Sequence, residues 1–316
     1  MPKIDMSLED LRAYRPALTR QPDFDAYWER TLAEAAGVPL DATVEEIEYP
    51  VAGLTFRRIF YTGWRGARIC GWYITPAGDG PFPTMVVYHG YTCPRSAIYM
   101  LLPWVLAGYA VVAVDTRGQT GDSDDPGGYS GGHFRGYMTR GALDPEEYYY
   151  RGAFIDCVRA IDFVVSRPEL DADRIALTGS SQGGGLTLAA AALDSRPKVA
   201  MARVPFLCHY RRAVEVSDKW PYLEIARYCN WNPDREEQVF RTLSYCDNLN
   251  LAARITCPTL VTVGLQDLVC PPSTVYGTYN QMSCEKEMLV YPYMGHANSE
   301  AQWEPMLRWL NAHIDG

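Results

Sequence analysis

No stretch of this 316-residue sequence holds the roughly 18 consecutive apolar residues of a membrane span, so no membrane partner is expected. The opening, Met1 to Leu11, lacks the apolar run and small-residue cleavage site of a secretory signal. Its nine cysteines are odd in number and scattered, and no C-x-x-C pair occurs. Several, such as Cys70 and Cys208, lie in apolar segments, where a thiol behaves as a small hydrophobe. A reduced, cytoplasmic protein is therefore expected. Positive charge is also in deficit: Lys and Arg number 29 against 38 Asp and Glu, a net charge of −9. Nucleic acids and anionic surfaces need a basic face, so neither is an expected partner. No H-E-x-x-H and no Cys/His cluster at zinc spacing occurs, so no metal is expected. Neither a P-loop nor a G-x-G-x-x-G after an early strand is present, so no cofactor is expected either. Internal repeats and low-complexity linkers are missing as well.

What is present is a core large enough for one α/β domain, with 47% hydrophobic and 21% charged residues. Residues 1–40 read as a short helical extension, with Phe24, Tyr27, Trp28 and Leu32 on one helical face. Alternating or β-branched runs follow at Glu45–Tyr49, Leu54–Thr62 and Arg68–Thr75, the pattern of antiparallel strands at a sheet edge. Beyond them come short, nearly continuous apolar runs: Thr84–Tyr88, Tyr109–Val114, Arg174–Thr178, Thr259–Val263 and Met288–Tyr291. Such runs suit strands buried on both faces. Helical candidates lie between and after them, at Ala97–Leu106, Glu146–Val165, Gln182–Leu193, Ser273–Gln281 and Ala301–His313. Strand and helix alternate, which predicts a mainly parallel central sheet with antiparallel leading strands and helices on both faces. The stretch from about residue 204 to 252 has no buried-strand run and is rich in aromatic and charged residues. It reads as a helical insertion folded over the carboxyl ends of the strands, where ligands bind in such folds. The whole chain, 1–316, is expected to form a single domain.

One turn carries chemistry. The pattern G-x-S-x-G fits Gly179-Ser180-Ser181-Gln182-Gly183 and no other register of this segment. It follows a predicted strand and opens an Ala/Leu-rich helix, the setting of a nucleophile elbow. Ser181 is then the nucleophile, and Ser180 a packing residue. The plain alternative is Ser181 as a helix N-cap on a tight turn. A serine hydroxyl needs a base, and the base an orienting acid, here in the chain order Ser, Asp or Glu, His. Of the two histidines after the insertion, His313 sits on the terminal amphipathic helix. His296 stands in a glycine-flanked loop just past a buried-strand candidate, where a base belongs. Asp267 ends the preceding strand in the same way, whereas Asp115 precedes the serine and suits a structural role. The oxyanion formed on attack needs two backbone N–H donors: that of Gln182, next after the nucleophile, and that of Tyr91 in the early loop His89-Gly90-Tyr91. His89 is expected to be structural.

With these residues in place, the sequence resembles carbohydrate esterase family 7, the acetyl xylan esterases and cephalosporin C deacetylases of the α/β-hydrolase fold. The resemblance rests on Arg117-Gly118-Gln119, on Gly179 to Gly183, on the Tyr-rich segment Gly136–Arg151, and on the His89–Tyr91, Asp267 and His296 loops. It implies Ser181, Asp267 and His296 as the triad and Tyr91 and Gln182 as oxyanion donors. It also implies removal of acetyl groups from small substrates, and a ring-like homo-hexamer. The sequence departs from the family pattern at Ala297, where a glutamate usually follows the histidine. Glu300, a turn later, and a lost partner for Arg117 are the local consequences to look for. Two alternatives stand beside this reading: a serine peptidase of the same fold, and a non-catalytic α/β-hydrolase scaffold.

Overall fold

The computed structural model describes residues 4–315. Nine strands form one sheet: β1 (Thr43–Glu46), β2 (Thr55–Thr62), β3 (Arg68–Thr75), β4 (Phe82–Tyr88), β5 (Ala110–Val114), β6 (Leu170–Ser180), β7 (Val199–Arg203), β8 (Thr259–Gly264) and β9 (Lys286–Tyr291). Their spatial order is β1-β2-β3-β5-β4-β6-β7-β8-β9. The first three strands and the β3–β5 pair are antiparallel, and every pair from β5 onward is parallel. This is the mainly parallel sheet with antiparallel leading strands expected from the alternation of strand and helix, in the α/β-hydrolase arrangement that the resemblance implies.

Among the described residues, eleven α-helices accompany the sheet. The N-terminal arm carries α1 (Leu8–Ala13) and α2 (Phe24–Ala36), and the crossovers use α3 (Ile98–Leu106), α4 (Tyr149–Val165) and α5 (Gln182–Leu193). Between β7 and β8 lie α6 (Tyr210–Val216), α7 (Tyr222–Trp231), α8 (Glu236–Ser244) and α9 (Asn248–Leu251). Helices α10 (Pro272–Tyr279) and α11 (Trp303–His313) complete the chain.

The strand alternation splits the core between two faces, because successive side chains point to opposite sides. Val86, Val112 and Leu177 face a layer built from α2, α4 and α5, with Trp28, Phe154 and Leu186 packed against them. Met85, Val111 and Ala176 face α3 and α11, through Leu101, Trp104 and Leu310. Helix α4 is buried along almost its whole length, so it is central rather than a surface helix. The N-terminal arm is fastened by hydrogen bonds to distant parts of the chain. Trp28 Nε1 donates to the Tyr245 carbonyl at 2.9 Å, and Tyr27 Oη to that of Pro145 at 2.7 Å.

Two expectations need correction. Strand β7 escaped the sequence reading because Val-Ala-Met-Ala-Arg is short and alanine-rich, and alanine favours helices. Its place between β6 and β8 is decided by pairing on both sides. The run Met288–Tyr291, read as buried on both faces, is only half-buried, because β9 is the last strand of the sheet. Among the described residues, no helix is long and apolar enough to cross a membrane.

Candidate active site

Strand β6 ends at Ser180 and helix α5 begins at Gln182, so one residue must turn the chain between them. Ser181 does so with φ 58° and ψ −117°, a left-handed conformation that costs a non-glycine residue about 1–3 kcal/mol. The turn is closed by the two glycines of the motif. A Cβ on Gly179 would collide with the Gly183 backbone, and one on Gly183 with the carbonyl oxygen of Tyr88. Hydrogen bonds hold the strained residue in place: Ser181 N donates to the Arg203 carbonyl at 2.9 Å, and Ser181 O accepts from Phe206 N at 2.9 Å.

Three loops bring the predicted side chains together. His296 Nε2 lies 2.9 Å from Ser181 Oγ, and its Nδ1 lies 2.8 Å from Asp267 Oδ2. Asp267 is buried, and its other oxygen, Oδ1, accepts from Val269 N and Cys270 N, each at 2.8 Å. One carboxylate oxygen is thus committed to the backbone and the other to the imidazole. His313 is remote from this arrangement and bonds to the Trp309 carbonyl and Glu285. Asp115 ties the loop after β4 to the loop after β5, accepting from Arg95 N and Asp122 N.

Cys270 Sγ, Asp267 and His296 lie close enough for one atom from each to reach a common metal ion. Those same Asp267 and His296 groups already bond to each other, and His296 to Ser181, and burial pushes the Cys270 thiol well up from its ordinary pKa. Two of the three donors are therefore already committed to each other and to Ser181.

The backbone N–H groups of Tyr91 and Gln182 make no hydrogen bond to the described residues. Both are free to donate to a further group. The loop ahead of Tyr91 is fixed by His89. Its Nε2 accepts from Thr116 N at 2.7 Å, so its Nδ1 carries the proton and donates to the Gly90 carbonyl at 2.7 Å. Burial lowers the His89 pKa, which keeps the ring neutral. The Tyr91 side chain is anchored elsewhere, donating to Glu224 Oε1 of α7 at 2.7 Å. Burial raises the Glu224 pKa to about 7, against the opposing pull of that hydrogen bond and of the one from Met138 N.

The Gln182 side chain has a role that the elbow pattern does not disclose. It is fully buried and pairs reciprocally with Gln119: Gln119 Nε2 donates to Gln182 Oε1 at 2.8 Å, and Gln182 Nε2 to Gln119 Oε1 at 3.1 Å. Tyr150 Oη adds a bond to Gln182 Oε1 at 3.0 Å, and Gln119 Nε2 reaches Tyr149 Oη at 3.0 Å. Gln119 Oε1 also accepts from Thr92 N at 2.9 Å, next to Tyr91. The Arg117-Gly118-Gln119 motif and the Tyr-rich segment therefore form one buried frame beneath the Tyr91 loop and the elbow. Gly118 turns that frame with φ 60°.

Arg117 pairs with Asp156 of α4, Nε to Oδ2 at 2.6 Å and Nη2 to Oδ1 at 2.7 Å, with both groups buried. Arg117 thus keeps a buried carboxylate partner, and the loss of one that Ala297 raised is not seen. Ala297 lies on an exposed loop and Arg117 inside the frame, and Asp156 was not signalled by any local motif. Ser180 also departs from its expected packing role. Its Oγ donates to Asn298 Oδ1 at 2.7 Å and so latches the elbow to the His296 loop.

An open cavity of about 630 Å³ adjoins Ser181 and His296, walled by α3, the elbow, the end of β7 and the His296 loop.

The family model described as acetyl xylan esterase (AXE1) matches residues 1–313. The structure of an acetyl xylan esterase from Paenibacillus sp. R4 is 45% identical, superposes with a TM-score of 0.95, and is matched over 98% of this chain and 100% of that one. Acetyl xylan esterase 1 from a Thermoanaerobacterium species is 38% identical with a TM-score of 0.93, over 97% of this chain and 98% of that one. The acetyl esterase Axe7A of Xylanibacter ruminicola is 29% identical over 99% of this chain and 71% of that protein.

Proposed function

The chain belongs to the acetyl xylan esterase family, and from that premise we propose that it removes acetyl groups from small acetylated substrates, such as xylo-oligosaccharides and cephalosporin C, through Ser181, His296 and Asp267. The observation that carries the reading is His296 held at both ring nitrogens, Ser181 on one side and Asp267 on the other. Ser181 Oγ attacks the acetyl carbonyl while His296 Nε2 takes its proton. Asp267 holds the Nδ1–H tautomer and stabilises the imidazolium. The N–H groups of Tyr91 and Gln182 receive the oxyanion, an interaction whose loss typically costs about 3–4 kcal/mol of barrier. His296 then protonates the departing alcohol, and water frees acetate by the same route.

The remaining assignments are part of the same proposal. The chain acts as one domain, supported by the single nine-stranded sheet. Its insertion abuts the site, supported by the Tyr91–Glu224 bond and by Ser217 Oγ donating to the Leu268 carbonyl at 2.5 Å. Several copies assemble, hexameric by resemblance, supported by exposed Tyr99, Leu106, Trp231 and Tyr293. A reducing, cytoplasmic setting suits nine free cysteines.

A fluorophosphonate should label the wild type and leave Ser181→Ala unlabelled. Acetate release should follow from acetylated xylo-oligosaccharides, cephalosporin C and p-nitrophenyl acetate, and fall across p-nitrophenyl esters of longer chain. An unlabelled wild type would favour the non-catalytic scaffold, and faster cleavage of acyl-peptides than of acetyl esters would favour the peptidase.

A further inference from the structure

Arg203 closes β7 and sits in register with Ser180, one residue from the nucleophile. It lines the cavity shared by Ser181, His296 and Ala297. Its side chain makes no ion pair and no hydrogen bond with any described residue, and its Nε is buried without a partner. The other cavity-lining arginine, Arg95, is different: its guanidinium is paired with Asp115 and Asp122. Among the described residues, no aspartate or glutamate lines this cavity, and Asp267 is buried and turned to His296 and the backbone. So in a chain of net charge −9 the cavity beside the nucleophile holds one cation with nothing to neutralise it.

An unpaired, partly desolvated guanidinium is costly unless something occupies it. Here burial pulls the Arg203 pKa down, with no carboxylate to oppose it. The guanidinium fork matches a carboxylate in two parallel hydrogen bonds, stronger than neutral ones.

We propose that Arg203 is a specificity residue that receives a carboxylate on the alcohol portion of the substrate, so that acetyl esters of acidic alcohols are preferred over neutral ones. The proposal rests on the acetyl-esterase reading above and adds the charge of the substrate to it. Two kinds of compound share this chemistry: small hydroxy acids, and acetylated xylo-oligosaccharides that carry a uronic acid. Arg203 is not needed for proton transfer. It positions the ester by holding a group a few bonds away, and its effect belongs mainly to KM.

The test measures kcat/KM for 4-acetoxybenzoate and for its uncharged methyl ester, and takes the ratio within each enzyme so that intrinsic ester reactivity cancels between variants. Acetylated xylo-oligosaccharides with and without a uronic acid form the second pair and separate the two sources. Arg203→Gln should lower the anionic-to-neutral ratio at least tenfold, chiefly through KM, and Arg203→Lys should recover part of it. Ala297→Glu, on an exposed loop where folding is not at stake, should lower the same ratio by adding a competing carboxylate to the cavity wall. Ratios that stay within twofold of wild type in Arg203→Gln and Ala297→Glu overturn the proposal. If Arg203→Gln fails to fold, Ala297→Glu alone decides. A wild type that cleaves both esters with a ratio indifferent to these changes sinks only the role of Arg203. A wild type that cleaves no acetyl ester sinks the acetyl-esterase reading and this proposal with it.

Discussion

The elbow around Ser181 and the loop around His296 hold two members of one constellation by opposite means. At the elbow, close packing and buried hydrogen bonds act together. Gly179 and Gly183 have no room for a methyl group, and Gln182 beneath them is locked into the Gln119, Tyr149 and Tyr150 frame. At the loop, Pro292, Tyr293, Ala297 and Asn298 are exposed, and His296 is oriented by a few polar contacts with Asp267 and by the Ser180–Asn298 latch. A strained nucleophile needs a rigid surround, since a conformation costing about 1–3 kcal/mol relaxes wherever the surround yields. As the proposed base, which would accept and return a proton, His296 needs correct orientation more than confinement.

The contrast breaks most sharply at Gly183. Gly183→Ala should destabilise the protein by about 3 kcal/mol, at the upper end for overpacking, because the added Cβ meets backbone that cannot swing away. Urea unfolding measures the loss, and fluorophosphonate labelling of Ser181 should fall with it. A fully labelled variant of wild-type stability would show that the elbow yields.

Gln119→Leu probes the frame one layer down. It leaves the buried Gln182 amide and the Thr92 N–H short of partners, at about 1–3 kcal/mol. The lost stability should come with a lower kcat, since Tyr91 and Gln182 both lean on this residue. A drop in stability with kcat unchanged would confine Gln119 to the core.

A third support, Glu224 under Tyr91, makes stability depend on pH. Its folded pKa of about 7 lies above the 4.5 of an ordinary glutamate. Between those values the folded state binds the proton more tightly than the unfolded one, so this group's contribution is full below about pH 4.5 and shrinks as pH rises through 7. Glu224→Gln should flatten the fall in urea midpoint from pH 5 to 7. An unchanged slope would place its origin elsewhere, Asp247 being the next candidate, since burial raises its pKa to about 6.

The smallest effect belongs to the loop. Asn298→Ala removes one exposed hydrogen bond, and stability should change by no more than about 0.5 kcal/mol, as for most surface substitutions. A severalfold fall in kcat alone would show that the latch serves orientation. A large loss of stability would contradict the contrast between the two regions.

Much of this was legible in the linear sequence, for local reasons. Strand β3 spans Arg68–Thr75 and α5 spans Gln182–Leu193, both as expected, because periodicity and glycine placement are properties of neighbouring residues. The elbow register was legible for the same reason: only one serine has glycines on both sides at the right spacing. His296 and Asp267 could be proposed from chain order and from their places at strand ends. Strand β7 was not legible, since five residues rich in alanine take their conformation from the strands beside them. The buried polar partners were not legible either. Asp156 under Arg117 and Gln119 against Gln182 are pairings across 39 and 63 residues of chain.

The sequence by itself determined the class of fold, the serine that turns the elbow, and the candidates for base and acid, because spacing and strand-end position are encoded along the chain. The tertiary structure alone decided what surrounds them. It set Gln182 into a buried frame, gave Ser180 a partner in the His296 loop, and left Arg203 without one beside the nucleophile. Whether a charge is paired depends on which side chains the fold brings within a few ångströms, and no local pattern records that distance.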